Sequence, residues 1–240
     1  MASEARPSLD AVDAAIEAAG LAPRGAFALE AAEAAGALAG VRTIVLVGVV
    51  GGRGWDAFAA SPEARDGLDD PLDRFSRRAI GGLAAALGAV ALYPFGDPPH
   101  WPFQRWALRA EPVHPSPVGL LIHPTYGLWH SFRGALGFSG AMDLPKVGSR
   151  PSPCLACIEK PCLGACPAGA FAAAGYDVPA CLRHLGAPAG TDCMERGCLA
   201  RRACPVGADH AQGPAQASFA MRAFLRAHGE AGEGAAATPD

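Results

Sequence analysis

Residues 153–167 read PCLACIEKPCLGACP and hold four of the chain's eight cysteines. The other four follow closely. All eight lie between Cys154 and Cys204, and none precedes residue 154. The full pattern is Cys154-x2-Cys157-x4-Cys162-x3-Cys166-Pro167, then Cys181, then Cys193-x4-Cys198-x5-Cys204-Pro205. Cysteines packed this way in a reducing compartment bind metal or do redox work more often than they form structural disulfides. Eight sulfurs make two sets of four.

Two structural zincs would use those sulfurs, because zinc takes four cysteines at short, paired spacing. Against zinc stands the Cys-Pro that ends each half. In the bacterial run C-x2-C-x2-C-x3-C-P that binds two iron–sulfur clusters, the fourth cysteine crosses to the other cluster. Small residues around the sulfurs (Gly164, Ala165, Ala168, Gly169, Gly207) also leave room for the backbone to approach an inorganic cube. We therefore expect two 4Fe-4S clusters, with Cys154, Cys157, Cys162, Cys166, Cys181, Cys193, Cys198 and Cys204 as ligands.

Outward from this segment the chain is an ordinary globular sequence of 240 residues, 50% hydrophobic and 18% charged. The net charge of -3 lacks the basic excess that phosphate contacts require, so neither nucleic acid nor an anionic membrane is an expected partner. The first fifteen residues carry acids and show no apolar leader or twin arginine. The most apolar run, residues 79–95, contains glycine and proline and reads as a buried helix followed by a strand. A cytoplasmic protein is expected.

Periodicity places a helix over 9–20, a doubly covered strand over 41–50, and a helix from Pro71 capped by Asp69 or Asp70. A strand over 90–95 and a short helix over 103–111 follow. Residues 118–124 and 128–138 read as two strands around a Thr125–Tyr126–Gly127 turn. Residues 141–153 hold three prolines and few apolar side chains, as a linker does. Four parts result: an α+β domain over 1–145, a cysteine module over 146–212, a helix over 213–228 that could pack back on the body, and a disordered low-complexity tail over 229–240.

The cysteine segment resembles the two-cluster ferredoxin module of epoxyqueuosine reductases and reductive dehalogenases, with CLRHL at Cys181 matching their lone cysteine. That resemblance implies one cluster on Cys154, Cys157, Cys162 and Cys204, and the other on Cys166, Cys181, Cys193 and Cys198. The loops before Cys162, Cys198 and Cys204 are longer than in those families. A ferredoxin needs far fewer residues than this chain has, so the remaining 150 or so must receive the electrons or dock whatever does.

The stretch His123-Pro124-x-Tyr126-Gly127-x-Trp129-x3-Arg133-Gly134 resembles the hairpin of cobalamin-processing proteins of the methylmalonic aciduria type C family. Asp70-Pro71-x-Asp73 opening a long helix follows that family's order, while residues 94–117 match it poorly. The combined resemblance implies a flavin-reductase/nitroreductase-like core followed by a bacterial-type dicluster ferredoxin module. It implies a corrinoid (cobalamin) as electron acceptor, with flavin the alternative on the same core. Tyr126 and Trp129 would wall the ring, with Gly127 at the turn between them. His123 would bond a corrin amide, and Arg133 would lie near the corrin or a thiol co-substrate. Taken singly, His123, Tyr126 and Trp129 read as structural residues. Arg74, Arg77 and Arg78 read as a solvated helix face rather than a phosphate site. The expected function is an iron–sulfur oxidoreductase that passes electrons to a corrinoid for removal of its upper ligand or for reactivation. The alternatives are a ferredoxin-type carrier whose front domain docks a redox partner protein, and an iron–sulfur flavoprotein. A tRNA-modifying reductase is disfavoured by the absence of a basic surface.

Overall fold

The β-branched run Thr43–Val50 is buried from Thr43 to Gly48, so the strand is covered on both faces, as its unbroken apolar pattern predicts. The computed structural model of the protein describes residues 7–148, 150–172 and 175–233. In it this strand sits inside a four-stranded antiparallel sheet of order Ala22–Ala28, Thr43–Val50, His130–Phe138, Val90–Leu92. On one face Val45, Val47, Leu136 and Phe138 cluster with Val12 and Ile16 of helix Leu9–Ala18 and with Ile80 and Ala84 of helix Pro71–Leu87. Each large apolar side chain buried there contributes about 1.5–3 kcal/mol by leaving water. On the other face helix Phe103–Ala110 brings Trp106 against Phe27, with ring centroids 6.0 Å apart.

Local chemistry sets the boundaries of these elements. The Ser8 hydroxyl accepts from the Ala11 amide at 3.3 Å and caps the first helix. Asp70 stands at the cap position before Pro71 in left-handed backbone, without a side-chain capping bond, so only the position of that expectation holds. Gly25 lies in a bulge between Pro23 and Ala26 at φ +72°, where a Cβ would sit 2.2 Å from the Ala110 carbonyl oxygen. Only glycine lets the helix end so close to the strand.

Two expectations change. The strand expected over 90–95 stops at Leu92, short of Pro94, which has no amide to donate to a ladder. The two strands expected around Thr125–Gly127 do not pair with each other. Leu121–Ile122 pairs with His114–Pro115, whereas His130–Phe138 joins the four-stranded sheet. Between them His123 and Gly127 exchange amide-to-carbonyl bonds of 2.9 Å each, which close a tight turn and end the ladder.

The chain forms two units, one of residues 1–113 with 130–150, the other of 114–129 with 151–240. Residues 114–129, expected in the front domain, therefore group with the cysteines. The second unit is built of short helices, Pro153–Ala156, Pro161–Gly164, Val178–Leu185, Thr191–Arg196 and Leu199–Arg202, around Val118, Ile122, Leu128 and Ala200. Its last helix, Pro214–Glu233, packs on Thr191–Arg196 and Val178–Leu185 and runs past the expected end at 228. Residues 234–240 of the expected tail lie outside the described residues. Residues 141–148 and 150–152 carry no helix or strand. Helix and sheet are thus mixed, in keeping with an α+β class. No described helix is long and apolar enough to cross a membrane.

Candidate metal centre

Three short helices and the turns after them deliver the first cysteine group. Cys154 opens helix Pro153–Ala156, its amide donating to the Ser152 hydroxyl at 3.3 Å, and Cys157 closes that helix. Cys162 follows in helix Pro161–Gly164, which is entered through Lys160 in left-handed backbone. Cys204 returns after helix Leu199–Arg202. These four thiols line one cavity with Pro117, Ile122, Lys160 and Val206 among its other walls. Burial pushes the Cys154 thiol up, and Cys204, Cys162 and Cys157 lie near enough to push it further. Cys162 is raised in the same way, by burial first and then by Cys204 and Cys157.

The second group gathers from more distant sequence. Cys181 lies in helix Val178–Leu185, which is capped by the Asp177 carboxylate accepting from the Ala180 amide at 2.8 Å. Cys193 lies in helix Thr191–Arg196, and Cys198 caps Leu199–Arg202. Burial raises the Cys181 thiol, with Cys166 and Cys193 adding to it. Burial likewise raises Cys198, with Cys193 and Cys181 adding to it. Cys157, Cys162 and Cys204 thus lie near Cys154, and Cys166 and Cys193 lie near Cys181, while Cys166 and Cys198 also pack on the apolar cluster that holds Cys162 and Cys204. Among the described residues, no three His, Cys, Asp or Glu side chains converge as the ligands of a single ion do. Thiols raised in this way bind metal as thiolates and give up their protons when it binds. Four of the cysteines line one small cavity of about 20 Å³. Sulfur-directed donors are present too: the Ala170 amide donates to Cys166 Sγ at 3.4 Å, and the Ala200 and Arg201 amides point at Cys198.

Two residues that sequence reasoning did not single out complete the second group's surroundings. The Tyr176 ring stacks on Phe171 with centroids 4.7 Å apart, and burial, then the neighbouring Cys181 thiol, push its hydroxyl above the ordinary phenol range. Arg201 donates through Nε and Nη2 to the Leu128 carbonyl at 3.0 and 2.7 Å, and its guanidinium lies 4.6 Å from the centre of the Trp129 ring. Burial pushes the Arg201 pKa down to about 10. The only signal for either was nearness to a cysteine in the chain.

The five expected corrinoid residues fall in different units. His123, Tyr126, Gly127 and Trp129 belong to the second and Arg133 to the first. Buried His123 accepts at Nδ1 from the Thr125 and Tyr126 amides at 3.0 and 3.2 Å, and its ring stacks on Tyr126. Gly127 abuts the backbone of Val206. Trp129 Nε1 is buried without a hydrogen-bond partner among the described residues. Arg133 pairs with Asp73 and donates to the Ser76 hydroxyl at 3.1 Å. Of the helix arginines, Arg74 pairs with Asp66 and Arg78 with Glu63, while Arg77 lies over the Tyr93 and Phe95 rings.

No protein-family model matches the chain, and no curated protein matches it. Its fold is similar to solved structures of epoxyqueuosine reductases. One is an epoxyqueuosine reductase with a tRNA-Tyr epoxyqueuosine-modified tRNA stem loop, at 15% identity and a TM-score of 0.46, covering 87% of this chain and 69% of that one. The enzyme from Streptococcus thermophilus matches at 13% identity and a TM-score of 0.45, over 82% of this chain and 65% of the other. That from Bacillus subtilis matches at 16% identity and 0.44, over 71% and 50%. The chain therefore spans between half and about two thirds of these structures. One expectation is corrected here. A structure similar to this one is of a protein with a tRNA stem loop, so a modest negative charge does not rule nucleic acid out as a partner.

Proposed function

We propose that this chain is an iron–sulfur redox protein with a dicluster ferredoxin-like module. Cys154, Cys157, Cys162 and Cys204 hold one 4Fe-4S cluster, and Cys166, Cys181, Cys193 and Cys198 hold the other. The nearness of Cys157, Cys162 and Cys204 to Cys154, and of Cys166 and Cys193 to Cys181, supports the reading. The clusters pass electrons to a small redox cofactor held by the same chain on a flavin-reductase-like core. We take that cofactor to be a corrinoid. A cluster of this kind supplies the low-potential electron that cobalt(II) requires.

A second reading is the ferredoxin-type carrier. His123 and Arg133 already have protein partners, which accounts for both without a ligand. One anaerobic preparation decides between them. About eight irons and eight sulfides per chain, about four per cluster, with a visible band that dithionite bleaches, are expected. Two zincs without iron would overturn the cluster reading. Hydroxocobalamin should change its spectrum on titration. An unchanged spectrum at full iron leaves the carrier, and co-purifying flavin leaves the flavoprotein.

A further inference from the structure

We propose that Arg77 forms an oxyanion-binding site on the first unit, built for the phosphate or carboxylate group of a small ligand. Arg24, Arg78, Arg109, Arg133 and Arg201 each lie over an aromatic ring, and each has an acceptor besides. Arg24 pairs with Glu111, Arg78 with Glu63, Arg109 with Glu33 and Arg133 with Asp73, while Arg201 donates to the Leu128 carbonyl. Arg77 lies over two rings, and among the described residues no carboxylate or carbonyl meets its guanidinium. Arg74 and Arg78, its neighbours on the helix, are neutralised by Asp66 and Glu63.

The guanidinium is held from several sides. Its carbon stands 4.9 Å from the centre of the Tyr93 ring and 5.3 Å from that of Phe95. These two rings lean on each other with centroids 5.5 Å apart, and the Tyr93 hydroxyl donates to the Arg77 carbonyl at 3.2 Å. That bond ties Tyr93 to helix Pro71–Leu87 at the residue whose side chain it supports. Gly96 stands at φ +97°, and a Cβ there would overlap Arg77 Nη2, so a side chain at 96 would push the guanidinium away. Asp73, one helical turn before, is taken by Arg133, which shares the Phe95 ring at 5.1 Å. Asp97 follows Gly96, is exposed, and makes no pair with Arg77.

Arg77 is itself exposed. A free arginine on a surface loses its rotamer freedom when a partner fixes it, and that loss opposes binding. Rings that hold the guanidinium by its faces have removed part of that freedom beforehand, and they leave its in-plane N–H donors free. Two such donors side by side match two oxygens of a phosphate or a carboxylate.

The test follows the arginine side-chain and backbone N–H signals of the full chain by NMR while inorganic phosphate or acetate is added at constant ionic strength. The Arg77 signal, assigned by its loss in Arg77→Lys, should shift saturably together with the Phe95 and Gly96 amides, and those of Arg74 and Arg78 should stay in place. The anion that saturates at the lower concentration names the group preferred. Phe95→Leu, which keeps the charge and removes one ring, should raise the half-saturating concentration about threefold. Arg77→Lys, which keeps the charge and loses the planar fork, should raise it too, read at the Phe95 amide. Shifts that grow linearly with either anion, or that appear equally at Arg74 and Arg78, overturn the site. Half-saturation unchanged in Arg77→Lys overturns it even where Phe95→Leu fails to fold. None of these outcomes depends on the iron content of the chain.

Discussion

Gly127 and Gly207 meet backbone to backbone. A Cβ on Gly127 would lie 1.8 Å from the Val206 carbonyl oxygen, and one on Gly207 would lie 2.3 Å from the Tyr126 carbonyl carbon. Both residues have positive φ, +57° and +68°. The contact locks the His123 turn onto the chain just after Cys204-Pro205, so the turn's place is tied to that of Cys204.

Gly127→Ala should therefore destabilise the second unit by about 3 kcal/mol or more, from left-handed strain and from overlap with backbone that cannot swing aside. Urea unfolding of the iron-loaded chain should show an earlier midpoint together with loss of the visible band. Gly82→Ala, on an exposed face of helix Pro71–Leu87 with nothing within 4 Å of the new Cβ, should instead stabilise by about 0.5–1 kcal/mol.

Arg24 and Glu111 form a two-pronged pair at 2.8 and 2.7 Å, only 1% and 7% exposed, and Arg24 also bonds His130 Nδ1 at 3.1 Å. Glu111→Ala leaves a buried cation without its carboxylate and should cost about 3–5 kcal/mol. The double variant Arg24→Met with Glu111→Leu removes both charges and should cost less than the single one. Chemical unfolding of the three chains side by side checks the order. A double variant as unstable as the single would mean that packing, not charge, holds this place.

The Arg78 guanidinium beside Glu63 holds its carboxyl down at about 2, below its ordinary 4.5. A carboxylate whose folded value is depressed adds stability that is complete above the unfolded value and is lost as pH falls through the folded one. The loss should therefore run from about pH 4.5 down to about 2. Thermal melts across that range should show a falling midpoint. Arg78→Ala should make the fall shallower, because Glu63 then loses the largest cause of its depression.

The central strand and the long helix were legible because burial on both faces and a 3.6-residue period leave marks in composition, as at Thr43–Val50 and Pro71–Leu87. The cysteines were legible as ligand candidates for the same reason: few other roles explain eight thiols in fifty residues of chain. The partition at residues 114–129 was not legible. Leu121–Ile122 and His130–Phe138 have the same alternating, apolar look, and nothing local to them tells which sheet will take which strand. That choice depends on Val118, Ile122 and Leu128 finding Ala200, Cys162 and Cys204, contacts that join positions more than thirty residues apart. Tyr176 and Arg201 were hidden likewise, since a lone tyrosine or arginine carries no period.

The two thiol groups should load independently. Cys162 neighbours Cys157 and Cys204, whereas Cys193 neighbours Cys181 and Cys198. If the sulfurs serve two separate cores, Cys162→Ser should remove about half the bound iron and Cys193→Ser the other half, while the double variant is nearly colourless. The crossing of the chain makes this a demanding prediction. Cys162 and Cys166 are one helical turn apart in sequence, so if they serve different cores Cys166→Ser should resemble Cys193→Ser and not its neighbour. Iron and sulfide analysis of the four variants, with electron paramagnetic resonance of the reduced proteins, reads the assignment directly. Signals from Cys162→Ser and Cys166→Ser that coincide with each other, and differ from Cys193→Ser, would place Cys166 in the first group and undo the pairing.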